Sequence, residues 1–245
     1  MVEKLPLSEP IGQVEMLDYK NRRLPVEVRV ADLLSRMTLE EKVAQMLCVW
    51  GQKKTILFDD KGKLNLDNIG HHFKDGIGQI GRLSDTGGGL GPVEMAELAN
   101  ALQRFFVEET RLGIPVVFHE ECLHGLAAKD ATSYPQPIGL ASTFDPELVE
   151  EIYTAIALDT RARGAHQALT PVLDVARDPR WGRVEETFGE DPYLIAQMGI
   201  AAVRGFQGDA SFSDKRRVIA TLKHFAAHGQ PESGSNCGPV NISER

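Results

Sequence analysis

The sequence predicts an α/β fold with a parallel sheet, of the (β/α)8 TIM-barrel type, with about the first half of the barrel present. Long segments with apolar residues at helical spacing alternate with short apolar runs of strand length. Glycines follow the helical segments, and each apolar run passes into a polar loop. Strands that alternate with helices form parallel sheets, and a closed eight-stranded sheet gathers its ligand-binding residues at the C-terminal ends of the strands.

The elements follow one another along the chain in a regular order. Residues 28–37 have helical spacing, and residues 38–41 (TLEE) match a capping box that begins a second helix through Cys48. Residues 52–73 are polar and rich in Gly, Asp and Asn, which predicts a surface excursion before a first strand at 77–83. About four strand and helix units are predicted. The further strands are expected at 114–118, 165–175 and 218–224, and the further helices at 92–112, 146–163 and 192–207.

The chain divides into a polar lead-in at 1–27 and a barrel segment at 28–245. Its last residues predict one more helix, because Ser243 is a favourable N-cap and is followed by Glu and Arg. A half-barrel would leave a strand edge and one flank of its core in water. We therefore expect the chain to be the N-terminal part of a longer protein.

Composition and charge exclude several classes of protein. The chain is 42% hydrophobic and 25% charged, which is typical of globular proteins and excludes disordered and fibrous ones. Its net charge of −8 comes without a basic patch, so nucleic acid is not expected as a partner. No apolar run approaches the roughly 18 residues that span a bilayer, and no signal peptide is visible. We expect a soluble protein with no membrane partner, and leave its compartment and oligomeric state open.

Metal and phosphate sites are disfavoured. The three cysteines are far apart and odd in number, so neither a disulfide framework nor a zinc knuckle is indicated. His119 and His124 lack the four-residue spacing of a zinc-binding helix. The glycine-rich segment 85–91 lacks the Lys-Ser/Thr of a phosphate loop, and we expect a flexible loop near the barrel mouth. No metal and no cofactor are therefore predicted.

Polar residues cluster where the predicted strands end. They bring carboxylate, guanidinium, ammonium and imidazole groups to one face of the sheet. Sugar hydroxyls both donate and accept hydrogen bonds, so a sugar site needs carboxylates as acceptors and Arg or Lys as donors. This mixture favours a sugar pocket over a phosphate pocket. The clusters lie at residues 119–125, 174–183, 185–191 and 223–225.

Three motifs in these clusters resemble the signature of glycoside hydrolase family 3, in the branch of β-glucosidases and β-xylosidases. The string DVARDPRWGR at 174–183, followed by Glu186 and GEDPY at 189–193, resembles the family signature. ECLHG at 121–125 is similar to its Asp/Glu-x-x-His-Gly loop, and KHF at 223–225 is similar to its Lys-His-Phe strand end. The motifs occur in the family's order, and family-like sequence runs from about residue 24 to 245.

The resemblance implies a sugar-binding role for four residues. Glu121 would accept hydrogen bonds from hydroxyls on the far side of the sugar ring. Arg183 and Lys223 would donate to neighbouring hydroxyls, and His224 would add a further hydrogen bond. The expected ligand is a β-linked oligosaccharide or glycoside.

The resemblance also implies supporting residues and the place of the reacting groups. Glu186 would orient Arg183, and His124 would brace Glu121. Retaining members of the family use two carboxyl groups roughly 5–5.5 Å apart, a nucleophile and an acid/base. The nucleophilic Asp belongs to a Ser/Thr-Asp-Trp motif, which does not occur after His224, and the acid/base comes from a following domain. We therefore expect no catalytic residue in this chain and no turnover by this chain alone.

The sugar is expected to be glucose, with xylose as the alternative. The family's N-acetylglucosaminidase branch has Asp-Ser-His where this chain has Gly-Ser-Asn at 234–236, which disfavours that branch. Glucosidases commonly have Asp in place of Glu121, whose additional methylene extends about 1.5 Å further toward a glucose hydroxymethyl group. That feature favours xylose, whereas the rest of the chain resembles glucosidases. We expect a retaining exo-β-glycosidase that hydrolyses terminal non-reducing β-D-glucosyl residues.

Alternatives of other classes stay open on the residues alone. A naturally short, non-catalytic carbohydrate-binding module would carry the same sugar-binding residues. A metal-dependent hydrolase barrel would lose its activity on chelation. Residues 178–183 could be a structured loop in which Arg pairs with Glu185 or Glu186, and Lys223 with His224 could cap a strand.

Overall fold

The computed structural model describes residues 17–243, which form an α/β fold with a parallel sheet, as predicted. The α-helices within this range are α1 (Val26–Arg36), α2 (Leu39–Gln45), α3 (Lys53–Leu57), α4 (Leu66–His72), α5 (Pro92–Glu108), α6 (Pro137–Ala141), α7 (Pro146–Ala162) and α8 (Pro192–Gln207). The strands within it are β1 (Cys48–Val49), β2 (Gln79–Gly81), β3 (Val117–Glu120), β4 (Gln167–Ala168) and β5 (Ile219–Ala220).

The strands form one sheet in the order β1-β2-β3-β4-β5, and every neighbouring pair is parallel. Helices lie between each strand and the next along the chain. Parallel strands that neighbour one another in sequence order are the arrangement of a (β/α)8 barrel, and the described residues supply five of its strands. The C-terminal ends of the strands therefore lie at the same edge of the sheet.

Two apolar clusters pack against the sheet. In the first, Phe106 of α5 packs with Ile80 of β2 and Phe118 of β3, and all three side chains are fully buried. In the second, the rings of Tyr153 on α7 and Phe206 on α8 lie 5.0 Å apart. Full burial of one such side chain stabilises a fold by about 1.5–3 kcal/mol. The clusters thus fix the long helices against the strands.

The long helices begin where the sequence predicts, at proline and aspartate. Proline occupies the first turn of α5, α7 and α8, where its missing N–H costs no hydrogen bond. Asp145 Oδ1 accepts from the N–H of Leu148 at 3.0 Å, and Asp191 Oδ1 accepts from the N–H of Tyr193 at 2.7 Å. These three predicted helices are confirmed, although α5 ends at Glu108, about one turn early.

The predicted capping box forms, but the helix it begins is shorter than predicted. The N–H of Thr38 donates to Glu41 Oε2 at 2.9 Å, and the N–H of Glu41 donates to Thr38 Oγ1 at 3.2 Å. Helix α2 ends at Gln45, and Cys48 begins β1. The first strand therefore precedes the one predicted at 77–83, which is β2. Periodicity misses β1 because so short an apolar run cannot be told from the end of a helix.

The surface excursion predicted at 52–73 is wrong. This segment contains α3 and α4, and Leu57 and Ile69 are fully buried within the first apolar cluster. Ile56 of α3 is buried as well, so polar composition was a poor guide to the burial of this segment. Asn65 caps α4, because its side chain accepts from the N–H of Asn68.

The later strands are shorter than predicted, and proline interrupts two of the predicted runs, those at 114–118 and 165–175. Pro115 and Pro171 have no N–H to donate to a strand ladder. Strand β3 begins at Val117 and extends through His119 and Glu120, which the sequence had placed in the following loop. Strands β4 and β5 each have two residues.

Residues 17–43 belong to one compact unit, and residues 44–243 belong to another. In the first unit the N–H of Tyr19 donates to Asp32 Oδ2 at 3.0 Å, and Arg29 Nε donates to the carbonyl of Tyr19 at 3.0 Å. The predicted division at residues 27 and 28 stays a prediction. Most of the predicted lead-in and the end of the predicted last helix lie outside the described residues.

Over residues 17–243, no helix is both long enough and apolar enough to cross a membrane.

Candidate sugar-binding site

The predicted sugar-binding residues lie just beyond the C-terminal ends of three strands. Glu121 follows β3 directly, and Arg183 lies in the long loop after β4. Lys223 and His224 follow β5, and a parallel bridge between Val172 and Lys223 continues the pairing of β4 with β5. The parallel sheet therefore brings residues distant in sequence to one edge.

Glu121 and Lys223 form an ion pair across the site. Lys223 Nζ lies 3.2 Å from Glu121 Oε2, although the two residues are more than 100 positions apart. The side chain of Lys223 is 16% exposed and that of Glu121 is 31% exposed, so both remain open to a ligand. The pair places a cationic donor beside an anionic acceptor, which is the combination that adjacent sugar hydroxyls require.

Arg183 binds Glu186 through two parallel hydrogen bonds. Its Nε and Nη2 donate to the two carboxylate oxygens of Glu186 at 2.6 and 2.7 Å. These bonds raise the pKa of Arg183, and the charges of Glu121 and Asp174 raise it further. Those carboxylates therefore lie within electrostatic reach of the guanidinium. The bidentate pairing fixes the guanidinium plane, and the third nitrogen, Nη1, lies 3.5 Å from His228 Nε2.

His224 is oriented by a buried aspartate that the sequence analysis did not assign. Its Nδ1 lies 2.6 Å from Asp174 Oδ2, and its backbone N–H donates to the same oxygen at 3.2 Å. The Asp174 side chain is 1% exposed. A carboxylate at Nδ1 favours the tautomer with its proton there, which leaves Nε2 as the acceptor. Asp174 begins the DVARDPRWGR string, and its position at a strand end was the available signal.

His228 and Trp181 pack beside His224. The His228 ring lies 4.7 Å from that of His224 and 4.9 Å from that of Trp181, both edge to face. Trp181 is buried, and its Nε1 donates to Asn236 Oδ1 at 3.0 Å. Burial and the nearby His224 lower the pKa of His228. His228 was not predicted from the sequence, because nothing in its local pattern shows that the loop after β5 meets the loop after β4, which contains Trp181.

His124 lies in the same loop as Glu121 but does not form the predicted brace. Its Nδ1 is buried and has no hydrogen-bond partner among the described residues. Its carbonyl accepts from the N–H of Tyr134 at 2.7 Å. Over this part of the chain, the hydrogen bond to the Glu121 carboxylate comes from Lys223 instead.

The glycine-rich segment predicted as a flexible loop is held in place, which corrects that prediction. Residues Leu83–Gly88 form a 3-10 helix with a kink at Thr86 and Gly87, and Ser84 is buried. Asp85 accepts from Trp50 Nε1 at 3.1 Å and binds Lys53. Burial alone would raise the pKa of Asp85, but its hydrogen bonds to Lys53 and Trp50 outweigh that and lower it. No local pattern in the sequence indicates that this loop and the end of β1 meet.

Residues 17–243 contain no disulfide. The three cysteines are unpaired, and Cys122 is buried whereas Cys48 and Cys237 are exposed. No group of three or more His, Cys, Asp or Glu residues in this range is arranged to hold a metal ion. His119 Nδ1 lies 2.8 Å from Gln79 Oε1.

The sequence was then compared with known proteins. The family description "Glycosyl hydrolase family 3 N terminal domain" matches residues 38–245, which is most of the chain. The chain belongs to glycosyl hydrolase family 3. A putative β-xylosidase of Formosa agariphila is 39% identical to this family 3 chain over 230 residues, which cover 93% of the chain and 30% of that protein. A periplasmic β-glucosidase of Salmonella typhimurium is 33% identical and is matched over 93% of the chain and 27% of its own length.

Solved structures lead to the same family. A β-glucosidase of Erythrobacter marinus superposes with a TM-score of 0.81 at 35% identity, over 93% of the family 3 chain and 29% of that protein. Likeness at this level extends to the barrel-type fold. The chain thus spans about 30% of the length of the relatives it matches.

Proposed function

We propose that the whole protein containing this chain is a retaining exo-β-glycosidase that removes terminal non-reducing β-D-glucosyl residues from oligosaccharides or glycosides. The chain supplies the residues that hold the sugar. The observation that carries the proposal is the 3.2 Å contact of Lys223 with Glu121, near the oriented guanidinium of Arg183. The relatives named β-glucosidase and β-xylosidase support the reaction class.

The hydroxyls of a bound pyranose would form hydrogen bonds with these charged side chains. One hydroxyl donates to Glu121 and accepts from Lys223, and its neighbour accepts from Nη1 of Arg183, which in the structure lies 3.5 Å from His228 Nε2. His224 adds a hydrogen bond through Nε2, because Asp174 holds its Nδ1. These groups position the ring, and the reaction needs two further carboxyl groups for attack and for leaving-group protonation. We assign neither to this chain.

Hydrolysis of nitrophenyl β-glucoside by the whole protein tests the proposal. We expect turnover, and we expect Lys223→Ala to lower kcat/KM at least tenfold because charge-assisted hydrogen bonds each contribute about 1.5–3 kcal/mol. Lys215→Ala, a change of a lysine in the loop before β5, serves as the matched control and is expected to retain full activity. The isolated chain is expected to release no nitrophenol. A measurable rate from the pure chain would contradict the proposal that the reacting carboxyl groups lie outside it. An inactive whole protein would favour a non-catalytic sugar-binding module.

The second candidate is a β-xylosidase of the same family. Glu121 favours it, since its longer side chain extends about one bond length further than Asp toward the glucose hydroxymethyl group, and a putative β-xylosidase is among the relatives. The test compares kcat/KM on nitrophenyl β-glucoside and β-xyloside for the unmodified protein and for Glu121→Asp. We expect the substitution to shift preference toward the glucoside. An unchanged ratio would refute the steric role of Glu121.

A further inference from the structure

A buried carboxyl group lies beside the sugar site and has no place in the binding scheme above. Glu120 is the last residue of β3, directly before Glu121, and none of its surface is exposed. Its backbone is fixed in the sheet, because it pairs with Ala168 and its carbonyl accepts from the N–H of Leu169 at 2.9 Å. A buried carboxyl without a structural partner would be costly, so its contacts indicate its role.

Both carboxylate oxygens of Glu120 contact one residue. Oε1 accepts from the backbone N–H of Ser84 at 3.0 Å, and Oε2 lies 2.6 Å from the Ser84 hydroxyl. The same hydroxyl oxygen lies 3.2 Å from the carbonyl of Ala127. Ser84 is buried and belongs to the 3-10 helix after β2. One hydroxyl therefore lies between the carboxyl of Glu120 and the carbonyl of Ala127.

The Ala127 carbonyl belongs to the loop that presents Glu121. The N–H of Ala127 donates to the carbonyl of Glu121 at 2.8 Å and closes this loop. The hydroxyl of Tyr153 donates to the carbonyl of Leu123 at 2.9 Å and holds the loop from α7. The contact with Ser84 holds it from the side of β2. The position of Glu121 thus depends on hydrogen bonds that its own side chain does not make.

We propose that Glu120 is a positioning residue for the sugar-binding loop. The protonation state of the Glu120 carboxyl group determines whether the Ser84 hydroxyl donates to the carbonyl of Ala127 or to Glu120. This inference rests on the proposed function, because it concerns the same sugar site.

The hydrogen atoms balance in both states. When Glu120 is protonated, its O–H donates to Ser84 Oγ, and the Ser84 hydroxyl donates to the carbonyl of Ala127. When Glu120 loses its proton to solvent, the Ser84 hydroxyl donates to the carboxylate, and the Ala127 carbonyl loses this donor. The N–H of Ser84 donates to Glu120 in both states. The protonated state therefore holds the loop with one more hydrogen bond.

The surrounding groups place this exchange near neutral pH. Burial raises the pKa of Glu120 to about 7, and the hydrogen bonds from Ser84 and the charge of Arg82 offset burial only in part. Asp85 raises that pKa further. On the segment after β3, burial raises the pKa of the Cys122 thiol, and the charge of Glu120 adds to that effect.

Two variants of the whole protein separate the states. Glu120→Gln mimics the protonated acid, because its amide can donate to Ser84 Oγ while its oxygen accepts from the N–H of Ser84. Ser84→Ala removes the hydroxyl and keeps that N–H. Glu108→Gln, an equivalent change at an exposed residue at the end of α5, is the control.

The first readout is the Tm between about pH 5 and pH 8, which needs no sugar. A carboxyl whose folded pKa lies above its unfolded value of ~4.3 stabilises the fold fully below that lower value. Its contribution is lost as the pH rises through the folded pKa of about 7. We therefore expect Glu120→Gln to gain stability over the unmodified protein as the pH rises, and Glu108→Gln to show no such trend. A constant difference would overturn the proton exchange.

The second readout is KM for nitrophenyl β-glucoside over the same pH range. We expect KM of the unmodified protein to rise roughly twofold to tenfold as Glu120 ionises, the effect of one net hydrogen bond. Glu120→Gln is expected to keep the low KM throughout, and Ser84→Ala to have a high KM without this step. The same rise of KM with pH in Glu120→Gln, or no such rise in an active unmodified protein, would overturn the positioning role and leave the proposed function intact. An unmodified protein without hydrolysis would refute the proposed function and this role together.

Discussion

Arg183 illustrates how single residues of this site depend on partners that do not touch the sugar. The bidentate contact with Glu186 uses two of its three nitrogen atoms and fixes its plane. Asp174 does the same for His224 through Nδ1. In both cases a carboxylate fixes the direction of a donor or an acceptor, so the proposed sugar would meet groups whose conformational entropy is already lost.

Removal of the Glu186 carboxylate tests this dependence at the residue scale. We expect Glu186→Ala to lower kcat/KM on nitrophenyl β-glucoside roughly tenfold to a hundredfold, since each hydrogen bond to a charged group contributes about 1.5–3 kcal/mol. Glu186→Gln keeps one acceptor and is expected to lose less. The neighbouring Glu185→Gln, at an exposed position, is the matched control. Equal activity of Glu186→Ala and the control would show that Arg183 needs no orientation.

The site residues predicted from the sequence belong to recognisable motifs. Of the residues that were missed, His228 and Trp50 lie outside those motifs. Glu121, Lys223 and Arg183 are close in the structure because parallel strands end at one edge, which the alternation of strands and helices predicts. His228 and Trp50 meet their neighbours only through loop conformations. Such tertiary contacts leave no periodic signal in a single sequence.

At the scale of elements, the long helices were predicted well, whereas the short helices and the strands were predicted poorly. Helices α7 and α8 carry proline, an aspartate cap and a following glycine, so several local signals agree. The strands are two to four residues long, and pairing with neighbours defines them more than their own composition. Strand β3 extends into the polar residues His119 and Glu120, and Glu120 pairs with Ala168 of β4. The buried carboxyl group could therefore be recognised only in the structure.

The glycine-rich segment after β2 shows the same limit at the scale of a loop. Its composition predicts flexibility, yet buried Ser84 and the contacts of Asp85 hold it against β3 and the end of β1. Burial of polar groups that are fully hydrogen-bonded costs little, so such a loop can be ordered despite its glycines. Order in this segment is what makes a link between Glu120 and the Glu121 loop physically possible.

At the scale of the whole molecule, the fold brings residues from separate parts of the chain to one edge of the sheet, as the proposed binding of one small ligand requires. Each strand contributes one polar loop to the same edge, and the intervening helices bury the apolar faces. Family 3 membership and the named relatives agree with this arrangement over most of the chain. The central claim is that Glu121, Arg183 and Lys223 bind adjacent hydroxyls of one pyranose.

A crystal structure of the whole protein with bound glucose tests this claim most directly. We predict carboxylate, guanidinium and ammonium atoms of Glu121, Arg183 and Lys223 within about 2.7–3.2 Å of hydroxyl oxygens on a single ring. His224 is expected to reach the same ring through Nε2. A glucose bound elsewhere, for example against Trp50 and Asp85, with the Lys223 and Glu121 pair left unchanged, would contradict the account.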